Sequence, residues 1–401
     1  MIDTELCRAV EDAFESVQLP FFRRLVEQPS HTRARDDVEA AACVIDRLAG
    51  EIGLRRETAP DPDGVFADHR IYSTPATGDD DRAFLLAGHV DTVYPRSQRF
   101  LEFHRDGDVV RGPGVLDMKS GLTVVLFAMR ALQQAEPEKL ASIKARFVCN
   151  TDEEVGSPSS RSVYDRIAKL TTAAMVFEGG READQIITSR KGSGSFTLTV
   201  TGHEAHAGNE HASGVNAIHV LSLLVPRIEA LTDYDKGTTV NVGTIEGGTA
   251  KNTVPGKASC VIDTRVCTAD ERDRITSTLN ELASNPLDGV SGAPDRLKQA
   301  TVELAGKMLR PPMEATEESR RLMRAYEQHA RAAGLQTGEA PLQGGGSDAN
   351  LLAACGVPVI DGLGPYGRYF HSTREWSRVE SLLKRTKALA CFLAADVELF
   401  E

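Results

Sequence analysis

Apolar residues recur at helical spacing through the first part of the chain. One such face runs from Phe14 to Val26. A second is built from Val38, Ala41, Ala42, Ile45 and Leu48 within Asp37 to Leu54. The pattern then changes to short apolar runs that stop abruptly at polar residues. Ala83 to Ala87 leads into Gly88-His89-Val90-Asp91, and Ala145 to Cys149 leads into Asn150-Thr151-Asp152-Glu153-Glu154. Ala173 to Phe177 leads into Glu178-Gly179-Gly180. Ser120 to Gln134, opening after Asp117, reads as an apolar helix between the first two runs. Strands alternating with helices predict an α/β fold with a mostly parallel sheet flanked by helices. Ligands of such sheets sit outside the carboxyl ends of the strands. His89, Glu153, Glu154 and Glu178 are therefore expected at one rim.

From Ser193 the pattern differs. Ser195 to Thr201, Thr239 to Gly243 and Ala258 to Arg265 alternate as half-buried strands do, with a helix over Val215 to Leu231 between them. This predicts an inserted α+β unit, with helices on one sheet face and an edge open for pairing. The expected organisation is one domain over residues 1–192 and 310–401, interrupted by the inserted unit over 193–309. In the last segment, residues 316–334 read as a helix, Pro358 to Ile360 as a buried strand and residues 376–399 as a closing helix.

A length of 401 residues fits two domains. The net charge of −12 argues against nucleic acid or anionic membrane as the main partner, since both require clustered positive charge. Met1 to Phe14 carries early acids and lacks the apolar core of a secretion signal, and no stretch approaches the roughly 20 apolar residues of a membrane span. The seven cysteines are scattered without a C-x-x-C pair, which disfavours a zinc–thiolate site and fits thiols in a reducing cytoplasm.

Each polar residue at the rim has an ordinary reading. A histidine after a strand is often structural, paired acids at a helix start offset its dipole, and Asp117 or the Gly344-to-Asp348 run could form caps. As a set they describe a metal centre. Zinc takes imidazole and carboxylate ligands, and two metals about 3.5–4 Å apart need a shared ligand, which a carboxylate provides. His89, Asp117, Glu154, Glu178 and His371 supply one bridge and two terminal ligands per metal. Asp91, two residues after His89, can accept the other imidazole N–H. Glu153 is left as a carboxylate beside the site, suited to act as general base.

The motifs G-H-V-D-T-V at 88–93, G-P-G-V-L-D-M-K-S-G at 112–121, N-T-D-E-E-V-G-S at 150–157, F-E-G-G at 177–180 and Y-F-H-S at 369–372 resemble a family of zinc peptidases. That family includes carboxypeptidase G, acetylornithine deacetylase, succinyl-diaminopimelate desuccinylase and aminoacylase-1. The resemblance covers nearly the whole chain. It implies two zinc ions, with His89 and Glu178 on one, Glu154 and His371 on the other, Asp117 bridging and Glu153 as base; manganese or cobalt fits the same ligands. It also implies a cis peptide between Asp117 and Met118 and a homodimer formed through the inserted unit. T-G-H-E-A-H-A-G at 201–208 matches the stretch whose histidine, here His206, reaches the partner's active site and helps hold the oxyanion. By the same resemblance Asn252, Arg265 and Arg310 bind substrate, while Gly345 and Gly346 shape the pocket wall.

T-V-Y-P after His-x-Asp, D-E-E-V-G-S and Arg310-Pro311 lean toward the carboxypeptidase G group, implying release of a C-terminal glutamate-like residue from a small N-acyl amino acid or short peptide. The alternative is N-acyl amino-acid deacylation of the acetylornithine or aminoacylase kind. A non-catalytic binding or dimerisation homologue would ordinarily lack a ligand or the base, and here the set is complete. A nucleotide-binding reading of Gly344 to Gly346 fails for want of the Lys-Ser/Thr ending of a phosphate loop.

Overall fold

The computed structural model describes residues 4–395, and the chain forms two compact units. The first runs to Ser189 and resumes over Ala315–Gln343 and from Ser347 onward; the second comprises Arg190–Glu314 with Gly344–Gly346.

Among its described residues, the first unit holds a six-stranded sheet. The order is Arg55–Ala59, His69–Ser73, Ala145–Asn150, Ala83–His89, Thr171–Val176 and Val359–Ile360. Ala83–His89 runs parallel to both of its neighbours, and Thr171–Val176 runs parallel to Val359–Ile360. The first two strands form an antiparallel edge. Every residue of Ala83–His89 and Ala145–Asn150 is buried, as expected of strands covered on both faces. The apolar helix is Lys119–Ala135; Leu122, Val125, Leu126 and Met129 share a core with Leu382, Leu389 and Phe392 of the helix Val379–Ala394.

That closing helix begins later than the sequence pattern suggests. Trp376, Ser377 and Arg378 form a short strand instead, paired antiparallel with Arg111, Val110 and Val109. Strand pairing outweighs the helical spacing there. Residues 396–399 of the expected helix lie outside the described residues.

Among the described residues of the second unit is a four-stranded antiparallel sheet. Its order is Thr239–Gly247, Lys257–Val266, Gly192–Thr201 and Thr301–Arg310. Burial alternates strictly along Gly192–Val200. Its inward residues Phe196, Leu198 and Val200 join Val220, Leu221 and Leu224 of the helix Ala217–Glu229, and Ile275 and Leu279 of the helix Ala269–Ser284, in one core. The edge strand Thr239–Gly247 is exposed from Gly243 to its end, while Val240 is buried and Thr239 and Val242 are partly covered. Among the described residues no helix is long and apolar enough to cross a membrane.

Candidate metal centre

Three strands of the first unit end where the chemistry begins. His89 closes Ala83–His89, Glu153 and Glu154 open a single 3-10 turn after Ala145–Asn150, and Glu178 follows Thr171–Val176. Asp117 arrives on the loop before the helix Lys119–Ala135, and its peptide bond to Met118 is cis, as the resemblance implies. Two glycines permit this convergence. A Cβ on Gly88 would lie 2.4 Å from Met118 Cε, and one on Gly121 would lie 2.0 Å from the Phe177 carbonyl oxygen. At Gly121 the contact is with backbone, so the helix start and the residue before Glu178 come together because that position lacks a side chain.

The carboxylate of Asp117 stands between two imidazoles. Its Oδ1 is 3.2 Å from His89 Nε2 and its Oδ2 is 3.1 Å from His371 Nε2. Around His89, Glu178 Oε1 lies at 3.6 Å and Glu153 Oε2 at 3.9 Å. His371 has Glu154 Oε2 at 3.1 Å. Tyr369 and His371 both hold positive φ, 70° and 55°, a conformation that non-glycine residues adopt at some cost and mostly at functional sites.

Asp91 organises this cluster from below. His89 Nδ1 lies 3.0 Å from the Asp91 carbonyl oxygen and 3.2 Å from its Oδ1, so its Nδ1–H is taken up there and Nε2 is left to face the carboxylates. The same carboxylate accepts the Thr32 hydroxyl at 2.7 Å and the backbone N–H groups of Glu153 and Glu154 at 3.3 and 3.2 Å. Sequence spacing anticipates the first contact. The hold on both glutamates emerges only from the fold.

Electrostatics mark the cluster as built around positive charge. Burial drives Glu154 up to about 8, with Asp117 beside it reinforcing the shift, and burial likewise raises Glu178 well above the carboxylate range. Burial opposes the charged form of His89, yet the carboxylates of Glu178, Asp117 and Asp91 outweigh it and raise the imidazole well above its usual value. Hydrogen bonds to Asp117 and Glu154 lift His371 to about 11. Glu154 Oε1 is buried without a hydrogen-bond partner, an arrangement that costs free energy unless something electropositive meets it. Imidazole and carboxylate atoms of His89, Asp117 and Glu154, and of His89, Glu153 and Glu178, lie close enough together for one ion in each group. Crowded carboxylates, two imidazoles turned toward them and an orphaned buried oxygen fit divalent cations.

The remaining expected residues lie in the second unit. His206 pairs with Thr253 across a two-stranded ribbon, and the Ala207 N–H donates to the Asn252 carbonyl at 2.9 Å, so His206 and Asn252 are neighbours. His206 Nδ1 accepts the N–H groups of Gly208 and Asn209 at 3.2 and 3.0 Å, which leaves the proton on Nε2 as a donor. Arg265 forms a two-pronged ion pair with Asp263, both contacts at 3.0 Å. Arg310 is buried at the end of Thr301–Arg310, opposite Ser193. The Gly345 carbonyl accepts from Arg190 at 2.9 Å, and Gly346 follows it directly. In the first unit, the cap reading of the Gly344-to-Asp348 run has substance: Ser347 caps the helix Asp348–Ala354 in a reciprocal box with Asn350.

Glu375 carries no such signal in the sequence, and Tyr94 enters only as part of T-V-Y-P. An acid in R-E-W-S looks like a surface residue, yet Glu375 is fully buried beside the Asp117 loop, with burial pushing its carboxyl up to about 7.

Comparison with known proteins agrees with this geometry. Residues 188–290 match the Peptidase dimerisation domain family, and residues 71–216 match Peptidase family M28. The chain is 28% identical over 397 residues to carboxypeptidase G2 of Pseudomonas sp. (strain RS-16), covering 98% of this chain and 92% of that protein. It is 28% identical over 388 residues to the succinyl-diaminopimelate desuccinylase of Bordetella parapertussis, covering 92% and 94% respectively. A Bacillus subtilis protein, described as a dinuclear metal binding peptidase from the M20 family, superposes with a TM-score of 0.69 at 16% identity, over 96% of this chain and 98% of that one. Fold and site together define a metal-dependent hydrolase of amide bonds. The chain is similar to the M20 peptidases.

Proposed function

We propose that this protein is a two-zinc hydrolase that cuts an amide bond next to a free carboxylate, releasing a C-terminal glutamate-like residue, with Glu153 as its general base. The observation that carries this reading is Asp117 held between His89 and His371, with one oxygen toward each. The similarity to carboxypeptidase G2 over 98% of the chain supports the substrate class.

In this reading His89 and Glu178 would hold one ion, Glu154 and His371 the other, and Asp117 both. When bound, such a pair supplies Lewis acidity toward the amide carbonyl and makes water more acidic. Asp91 fixes the His89 ring and, through the N–H groups of its neighbours, the turn that carries the base. Glu153 takes the proton of the attacking water and delivers it to the departing nitrogen. His206, contributed by a second copy of the chain in a dimer formed through the inserted unit, donates its Nε2–H to the oxyanion. Arg265 and Arg310 receive the free carboxylate and Asn252 the substrate backbone, while Gly345 and Gly346 leave room at the wall. Closure over the bound carboxylate excludes water.

A second reading, N-acyl amino-acid deacylation, is favoured by the desuccinylase similarity, which covers 92% of the chain. A panel of N-acyl-glutamates set against N-acetyl basic and neutral amino acids separates the two. Highest kcat/KM on the acyl-glutamates is expected; preference for N-acetyl basic amino acids would replace the first reading with the second.

A further inference from the structure

A carboxylate with no accessible surface is costly to keep, so its partners reveal what it is for. Glu375 is such a group, with no exposed surface at all. Its Oε1 accepts two successive backbone N–H groups, Leu116 at 2.7 Å and Asp117 at 3.1 Å. Its Oε2 accepts the Tyr94 hydroxyl at 2.6 Å, and that hydroxyl also lies 3.0 Å from the Ser372 carbonyl oxygen. The Glu375 N–H donates to the same Ser372 carbonyl at 2.8 Å. One side chain therefore grips the residue that stands between the two imidazoles and, through Tyr94 and Ser372, the loop that presents His371.

We infer that Glu375, assisted by Tyr94, is a positioning residue that fixes the separation of Asp117 and His371. The inference rests on the reading of Asp117 and His371 as metal ligands. Three features support it. Both anchor points lie next to a proposed ligand: Asp117 itself on one side and Ser372, the neighbour of His371, on the other. His371 sits at positive φ, so its loop has to be held in place rather than settling there. The His371 side chain is more than half exposed, so few packing contacts orient it. Groups that orient metal ligands in this way typically govern metal affinity about 10- to 100-fold.

Cobalt(II) added to the metal-free full-length protein tests the inference, because its visible absorption reports ligand geometry independently of turnover. The wild type is expected to take up two equivalents. Glu375→Ala is expected to weaken the equivalent held by His371 about 10- to 100-fold, to alter the absorption band, and to lower kcat with KM little changed. Glu375→Gln keeps an oxygen for the Leu116 and Asp117 N–H groups and an amide able to donate to Tyr94, and is expected to restore most of the affinity. A merely structural role would lower the melting temperature of Glu375→Ala and leave the spectrum and the kcat-to-KM split unmoved, which overturns the inference. A Glu375→Gln variant as weak as Glu375→Ala also overturns it. Should Glu375→Ala fail to fold, Tyr94→Phe decides: weakened uptake sustains the strut and unchanged uptake removes it. A wild type that binds no cobalt pair strikes the ligand assignment itself, and the strut falls with it; that result is read before any variant.

Discussion

Glu153 and Glu154 are consecutive in the chain but face different imidazoles: Glu153 Oε2 lies 3.9 Å from His89 Nε2, whereas Glu154 Oε2 lies 3.1 Å from His371 Nε2. The 3-10 turn they open, held by Asp91 through both backbone N–H groups, sends the two side chains apart. In the proposed reading these like neighbours take unlike duties, Glu153 moving the proton and Glu154 holding an ion.

Replacing Glu153 by Gln should consequently leave metal uptake intact while turnover falls by roughly 10²- to 10⁴-fold, the usual weight of a general base. Metal content by atomic emission, measured alongside kcat, checks both halves. Loss of metal together with activity would move Glu153 into the ligand set.

Metal uptake should release protons. In the metal-free protein at neutral pH, Glu154, raised to about 8, His371, raised to about 11, and His89 and Glu178, both raised well above their ordinary values, retain protons that a cation must displace. Affinity should therefore weaken as pH falls below about 8 and strengthen as it rises. Calorimetry of metal binding in buffers of different ionisation enthalpy should detect a net release of protons on uptake; buffer-independent heats would contradict it.

Acid should destabilise the second unit through Glu271. Hydrogen bonds from Arg274, with Lys236 and Thr238, hold its carboxyl down to about 2. A carboxyl held below its ordinary value of 4.5 contributes stability that is complete above pH 4.5 and drains away as pH falls toward 2. Glu271→Gln should lower the urea midpoint at pH 7 and make less difference at pH 3. An equal difference at both pH values would show that the ionised carboxylate is not what stabilises.

Gly121→Ala tests the close approach at the site floor. Its methyl would meet the Phe177 carbonyl at 2.0 Å, a clash with backbone rather than with a movable side chain. A loss of about 1–3 kcal/mol in denaturant unfolding is expected, with metal affinity reduced because Glu178 follows Phe177 directly. Unchanged stability would mean that the helix start shifts freely.

Part of the proposed site was legible in the sequence because His89, Glu153, Glu154 and Glu178 end or follow buried apolar strands, and the carboxyl ends of parallel strands share a rim. His89, Glu153, Glu154 and Glu178 could be grouped on that ground alone. Asp117 and His371 lie on loops, where periodicity is silent, and entered the set through ligand chemistry and the family resemblance. The strand Arg55–Ala59 was missed because it is exposed over nearly all its length and carries no alternation to read. Its neighbour His69–Ser73 is wholly buried despite its polar residues: Arg70 and Tyr72 meet Asp46 in the helix Arg35–Ile52. Thr301–Arg310 escaped for a related reason, as an exposed edge whose Gly306, at φ 106°, breaks the pattern. Glu375 was invisible because its role depends on partners more than two hundred residues away in the chain.

The ordering of the site along the polypeptide has a consequence during synthesis. Asp117 draws its two imidazoles from far apart in the chain, His89 shortly before it and His371 254 residues after it. A growing chain displays four acids near His89 long before His371 emerges from the ribosome. The proposed cradle is therefore complete only after residue 371 has been made, 282 residues beyond His89.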